Sequence, residues 1–329
     1  MRVPAALALT IALASPANAS TAAAAAQPPT AAGSIGLRLL DVPLGARGDP
    51  RARLYVVDHL APGTIIHRRI QVSNGSASRV RVALYAAAAT IRKGSFTGAP
   101  GRTRNDLSTW TSVSPRGSGI PAHGSATAVV AIAVPKDAAP GEQYGAVWAE
   151  ARSNPGAGGG IVQVSRVGIR LYVSVGAGGP PAANFKIDSL TARRSPDGRP
   201  IVIAAVHNTG GRALDMNGSL RLLSGPGGLS AGPFAANLGT TLAIGDTEPV
   251  TIVLDKRLPA GPWNARVSLR SGLIERRARA TITFPATTHA TATTPYRMIA
   301  GTALLLALCA GATLAVRRQR RLRRAAATR

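Results

Sequence analysis

The side chains that could carry out chemistry are few and scattered. Five histidines, His59, His67, His123, His207 and His289, stand apart with no metal-ligand spacing, and none falls in an H-E-x-x-H pattern. There is no G-x-S-x-G elbow, P-loop or S-x-x-K motif. Hydrolysis of a glycan needs two carboxylates flanking the scissile bond, and here that means Asp106 with Glu142 or Glu150. Acids are scarce at 14, and six of them sit next to Pro, Gly or Arg, so they read better as surface turn residues. The sequence predicts a non-enzymatic protein with no metal and no cofactor.

Binding chemistry is better represented. A surface that holds sugars needs aromatic faces to stack on rings and polar groups fixed by strands. Trp110 follows the polar, turn-like segment Arg102-Thr103-Arg104-Asn105-Asp106. Binding and packing are equal readings for it, and Asn105 and Asp106 join it as candidates. Tyr144, Ala146, Trp148 and Glu150 share one strand face. Here the core tryptophan of a sandwich is the leading reading of Trp148, and stacking on a sugar the second. Arg68, Arg69, Arg79 and Arg81 on two successive strands predict a basic strip for carboxylates or phosphates, or simply a soluble edge.

The elements that must position these residues are strands. Alternation at period two, punctuated by Gly, Pro, Asn and Ser, predicts Ile35 to Leu40, Arg53 to Asp58, Ile65 to Ser73, Arg79 to Ala87, Ala126 to Val134, Gln143 to Ala151 and Ile161 to Val175. In the last of these Val167, Ile169, Leu171, Val173 and Val175 face inward, and Gly168, Arg170 and Tyr172 face a basic, wet side. A second set follows: Phe185 to Thr191, Pro200 to Asn208, Gly218 to Leu223, Pro249 to Leu254, Trp263 to Arg270 and Arg279 to Phe284. The halves share punctuation. Val72-Ser73-Asn74-Gly75 matches Val206-His207-Asn208-Thr209-Gly210, and Asn74-Gly75 predicts a type I′ hairpin. Likewise Pro140-Gly141-Glu142-Gln143-Tyr144 matches Pro259-Ala260-Gly261-Pro262-Trp263. The expected fold is all-β: two tandem immunoglobulin-like β-sandwiches, 34–179 and 180–286, joined at Gly176 to Pro181, plus one C-terminal transmembrane helix.

The ends place these domains outside a cell. Met298 to Val316 are nineteen residues without charge, followed by six Arg in eight residues, against Arg297 alone on the other side. Such a run at about 1.5 Å per residue spans a bilayer core of roughly 30 Å. The arginines predict a cytoplasmic tail at 317–329. Residues 1–19 read as a signal peptide ending in Ala17-Asn18-Ala19, residues 20–33 as an Ala/Thr/Pro leader, and residues 287–297 as a Thr/Ala linker. The only cysteine, Cys309, lies in the span, so no disulfide supports the exported part. Net charge is +25, with 17 basic and 7 acidic residues in 34–179. Outside a cell such a surface meets anionic wall polymers or lipid headgroups, not nucleic acid, although dispersed Arg from GC-rich codons explains the charge equally well.

Several stretches carry a family resemblance: Leu54-Tyr55-Val56-Val57-Asp58, Leu60-Ala61-Pro62-Gly63-Thr64, Val72-Ser73-Asn74, Asn105-Asp106-Leu107-Ser108-Thr109-Trp110, Val134 to Tyr144, and Val147-Trp148-Ala149-Glu150. Residues 35–152 resemble the N-terminal domain of WxL-interacting cell-surface proteins, and the order of signal, two domains, span and basic tail is similar throughout. Residues 183–286 resemble generic bacterial immunoglobulin-like modules. The resemblance implies attachment of the first domain to peptidoglycan or an associated anionic polymer, with Trp110, Asn105, Asp106, Arg68, Arg69, Tyr144 and Trp148 as the wall-binding candidates. The alternative is an accessory subunit of an envelope complex whose second domain docks a secreted or surface protein.

Overall fold

A computed structural model describes residues 35–153, 161–236 and 239–286. Ten strands come first: β1 (Ile35–Leu39), β2 (Val56–Leu60), β3 (Ile65–Asn74), β4 (Val80–Arg92), β5 (Ser95–Gly98), β6 (Thr111–Ser114), β7 (Gly117–Ile120), β8 (Ser125–Ala133), β9 (Gly141–Arg152) and β10 (Val164–Val175). They build a four-stranded sheet, β1-β3-β8-β6, and a six-stranded sheet, β2-β10-β9-β4-β5, with β7 added to β4. β10 pairs antiparallel with β9 and parallel with β2. The two sheets enclose one core, where Ile70, Val72, Ile132, Val147, Ile169 and Leu171 are almost fully buried. Burial of each such side chain contributes about 1.5–3 kcal/mol.

Nine strands follow: β11 (Phe185–Arg194), β12 (Pro200–Asn208), β13 (Leu214–Asp215), β14 (Asn217–Leu223), β15 (Ala231–Ala235), β16 (Thr241–Leu242), β17 (Thr247–Val253), β18 (Gly261–Ser271) and β19 (Ile274–Phe284). A three-stranded sheet, β11-β12-β17, packs on a four-stranded one, β15-β14-β18-β19, and the pair β13-β16 lies beside them. Their core holds Phe185, Val206, Leu220, Leu222, Trp263, Val267 and Phe284. The fold is all-β. No helix among the described residues is long and apolar enough to cross a membrane. The expected signal, leader, linker, span and tail lie outside those residues.

Several expectations need correction. Asn74-Gly75 is not a hairpin turn, because β3 and β4 belong to different sheets. Asn74 instead is buried, its Nδ2 donating to the carbonyls of Ser78, Ile120 and Pro121 while its Oδ1 accepts from the Ser76 amide. Asn208 does the same in the second sandwich, donating to Arg212 and Ala243 and accepting from Gly210. The shared Asn therefore ties a strand end to the loops around it. The strand expected from Arg53 starts only at Val56. Before it runs helix α1 (Pro50–Leu54), with Asp49 as its N-cap and Pro50 in its first turn, a helix-start signal present in the sequence. The inward set of β10 is as expected, but its far side is not uniformly wet, since Tyr172 is buried there against the second sandwich.

Candidate functional site

Three places collect the chemically interesting side chains, and the outer face of the six-stranded sheet is the first. The parity of β9 turns Val147, Ala149 and Ala151 into the core and Tyr144, Ala146, Trp148 and Glu150 outward. Contrary to its leading reading, Trp148 is not the core tryptophan of the sandwich but stands outside that core, because strand parity sends its neighbours Val147 and Ala149 inward; it is half-buried, opposite Gly168 on β10 and Tyr85 on β4. Only glycine fits at 98 and 168, because a Cβ at either position would collide with the indole. The Arg166 guanidinium lies 4.1 Å from the ring centroid, and Arg102 lies 4.2 Å from that of Tyr85. The Tyr85 hydroxyl donates to Glu150 at 2.6 Å, and Arg152 holds the other carboxylate oxygen at 3.0 Å. The bond from Tyr85, with Arg152 behind it, keeps Glu150 below the usual carboxylate range. The Trp148 ring N–H is buried and has no acceptor. Arg102, Arg166 and Tyr85 were absent from the sequence-based candidates; the period-two alignment of Tyr85, Trp148 and Gly168 across three strands becomes visible only once the strand order is known.

The second place is the junction between the sandwiches. Asp215 accepts from the Arg51 Nε at 2.8 Å through Oδ2, and from Arg170, Tyr172 and Thr241 at 2.8–2.9 Å through Oδ1. Arg51 also donates to the Ala213 carbonyl, and burial of its guanidinium is outweighed by the Asp215 carboxylate, so its affinity for the proton rises. Glu142 accepts from the Tyr144 hydroxyl and from the Ala213 amide at 2.6 Å, and burial raises its carboxyl above the ordinary range. Tyr55, Phe96 and Tyr144 gather round Tyr172 with ring centroids 5.2–6.0 Å apart. Tyr144 is therefore a junction residue.

The third place holds the remaining candidates. Helix α2 (Asp106–Trp110) is capped by Asn105, whose Oδ1 accepts from the Ser108 amide and whose Nδ2 donates to the Tyr144 carbonyl at 2.7 Å. The polar atoms of Asn105 are thus committed to the fold, while Asp106 is exposed in the first turn. Trp110 is half-buried and packs against the first core. The expected basic strip does not form. Arg68 and Arg69 are neighbours on β3 and so face opposite ways, while Arg81 lies in the other sheet and Arg79 just precedes it. Arg68 points inward, 16% exposed, and pairs with Asp58 at 2.7 Å; burial nevertheless holds Asp58 above its ordinary range. Arg69 is 63% exposed and paired with Asp41.

Of the carboxylates suggested for hydrolysis, Asp106 stands exposed in the first turn of α2, Glu142 is held by Tyr144 and the Ala213 amide, and Glu150 by Tyr85 and Arg152. Among the described residues no group of three His, Cys, Asp or Glu could hold a metal ion.

No family model and no curated protein matches the chain. Some solved structures are weakly similar to the chain. One is a Salmonella enterica SafA pilin in complex with the SafB chaperone, at 11% identity over 75% of this chain and 97% of that one, TM-score 0.40. Another is the E. coli chaperone DraB, at 12% identity over 75% and 98%, TM-score 0.38. A third is the class 5 fimbriae chaperone CfaA, at 11% over 76% and 100%, TM-score 0.34. The sheets described above, rather than these likenesses, define the fold.

Proposed function

We propose that this is a non-enzymatic, membrane-anchored cell-surface protein built from two immunoglobulin-like sandwiches, and that its first sandwich binds the cell wall. The observation that carries the reading is Trp148. A half-exposed indole outside the core, lying beside two glycines with a guanidinium over its ring, is an aromatic and cationic surface that suits a sugar ring with carboxylate substituents. Arg102, Arg152 and Arg166 around the single Glu150 leave it positively charged. Apolar anchoring by residues 298–316 and the resemblance of residues 35–152 to WxL-interacting proteins support the same setting. Asp215, bonded to Arg51, Arg170 and Tyr172 of the first sandwich, then holds the second sandwich against it, so that the binding face is carried on a stiff stalk.

Cosedimentation with isolated cell walls tests this. Stacking survives 1 M salt, where screening falls to roughly 3 Å, whereas exposed charge attraction does not. Binding that persists at high salt and drops at least tenfold in a folded Trp148→Ala variant is expected. Complete loss of the wild type at modest salt would leave only diffuse charge.

A further inference from the structure

A second concave site lies away from Trp148. The segment between β1 and α1 folds over β3 to form an open cleft of about 450 Å³ lined by Leu40, Asp41, Val42, Arg47, Arg53 and Arg69. That is the size of a small-ligand site. Two of its three guanidiniums are fixed in place by the fold. Arg69 donates Nε and Nη2 to Asp41 at 3.1 and 2.7 Å, and Arg53 donates Nε and Nη2 to the Arg47 carbonyl at 3.4 and 3.1 Å. The Arg47 guanidinium has no partner among the described residues, and both Arg47 and Arg53 are exposed. Three guanidiniums face one carboxylate. Asp41 accepts from the Arg69 amide and side chain and so is already saturated, which leaves the outer edges of the arginines unanswered.

Planar guanidiniums held at fixed angles match the oxygens of a tetrahedral phosphate, and apolar Leu40 and Val42 suit the carbon linkers between phosphates. We propose that this cleft binds the phosphodiester groups of an extended anionic polymer. Its position disfavours a lipid headgroup. The β18–β19 hairpin, Gly272 and Leu273, lies against Asp49 and Gly48 beside the cleft, while the chain leaves β19 at Phe284, eleven residues and about 36 Å away. The expected anchor follows that far end. The inference relies on wall binding only for the source of the polymer, not for the site.

The test is titration of the purified full-length chain with inorganic phosphate, soluble poly(glycerol phosphate), polygalacturonate and phosphatidylglycerol vesicles at one ionic strength. Poly(glycerol phosphate) should bind most tightly and inorganic phosphate should compete with it. Arg47→Ser/Arg53→Ser should weaken polymer binding at least tenfold. Arg221→Ser/Arg266→Ser, which removes the same charge from exposed positions of the second sandwich, should change it less than twofold. Arg47→Ser alone, at a side chain with no partner to lose, should show part of the effect and guards against misfolding of the double variant. Equal loss in both double variants, unchanged binding in the cleft variants, equal affinity for polygalacturonate, or preference for the vesicles would each overturn the proposal. Wall binding without polymer binding would refute this site and leave the Trp148 reading standing; polymer binding without wall binding would do the reverse.

Discussion

The two sandwiches use the same sequence grammar to opposite ends. Each has a long strand that opens on a glycine at positive φ, Gly141 at +133° in β9 and Gly261 at +117° in β18. In β18 the aromatic Trp263 stands two residues after its glycine, on the inward parity, and is 1% exposed in the second core. In β9 Tyr144 and Trp148 stand three and seven residues after theirs, on the outward parity, at the junction and on the outer face. A shift of one residue moves an aromatic to the other side of a sheet. The first sandwich fills its core instead with Val, Ile, Leu and Ala, and its large rings are left for surfaces.

Trp263→Ala should cost about 3–5 kcal/mol, the range for a buried Trp, while Trp148→Ala should cost less than half as much because its indole lies outside the core. Denaturant unfolding of both variants measures this, and equal costs would make Trp148 a core residue. Asp215→Ala should rank close behind Trp263→Ala. It leaves the buried Arg51 without its carboxylate, at about 3–5 kcal/mol for an uncompensated charge, partly relieved by the remaining bond to the Ala213 carbonyl. It should also split a single unfolding transition into two, visible by tryptophan emission and circular dichroism, whereas an unsplit transition would mean the sandwiches are coupled elsewhere.

Asn74→Ala and Asn208→Ala test the likeness of the two halves. Each removes an amide that satisfies several buried carbonyls, so each should cost about 1–3 kcal/mol, and the two should agree within about a factor of two. A large loss in one and none in the other would show that the matched motifs do different work.

The smallest effect is on acid stability. In the second sandwich Asp197, Asp255 and Glu275 are held at about 2 by bonds from Ser195, Arg257 and Ser268 respectively. Their folded values lie below the unfolded ones, so their contribution is present above pH ~4.5 and is lost as pH falls towards 2. In the first sandwich Asp41 and Glu150 behave likewise, but burial raises Asp58 and Glu142, whose protonation favours the folded state and offsets the loss. Amide spectra recorded from pH 5 to 2.5 should lose second-sandwich signals first. Because the three pairs are exposed and screened, the gap should be a fraction of a pH unit.

Much of this was legible in the sequence. The inward set of β10 and the long strands β3, β8, β9 and β12 follow from alternation that the sheets impose directly. The short strands β5, β6 and β7 lie in the Gly- and Ser-rich stretch between β4 and β8, too brief to show a period. Arg68 and Arg69 misled because strand parity splits neighbours, and β3 and β4 turned out to lie in different sheets. The junction was invisible for a different reason: Arg51 and Asp215 are 164 residues apart, and no local pattern records such a pair. Trp148 was legible as a candidate, while the arginine and tyrosine that surround it required the strand order.

Which sandwich holds the wall is the most direct question. Full-length chain carrying Trp148→Ala with Arg166→Ala, and a second variant carrying Arg221→Ala with Arg266→Ala, should be sedimented with purified walls at 0.15 and 1 M salt. The account predicts that the first variant loses at least tenfold at both salts while the second stays within twofold of the parent. Equal loss in the two variants, or full retention by the first, would contradict it.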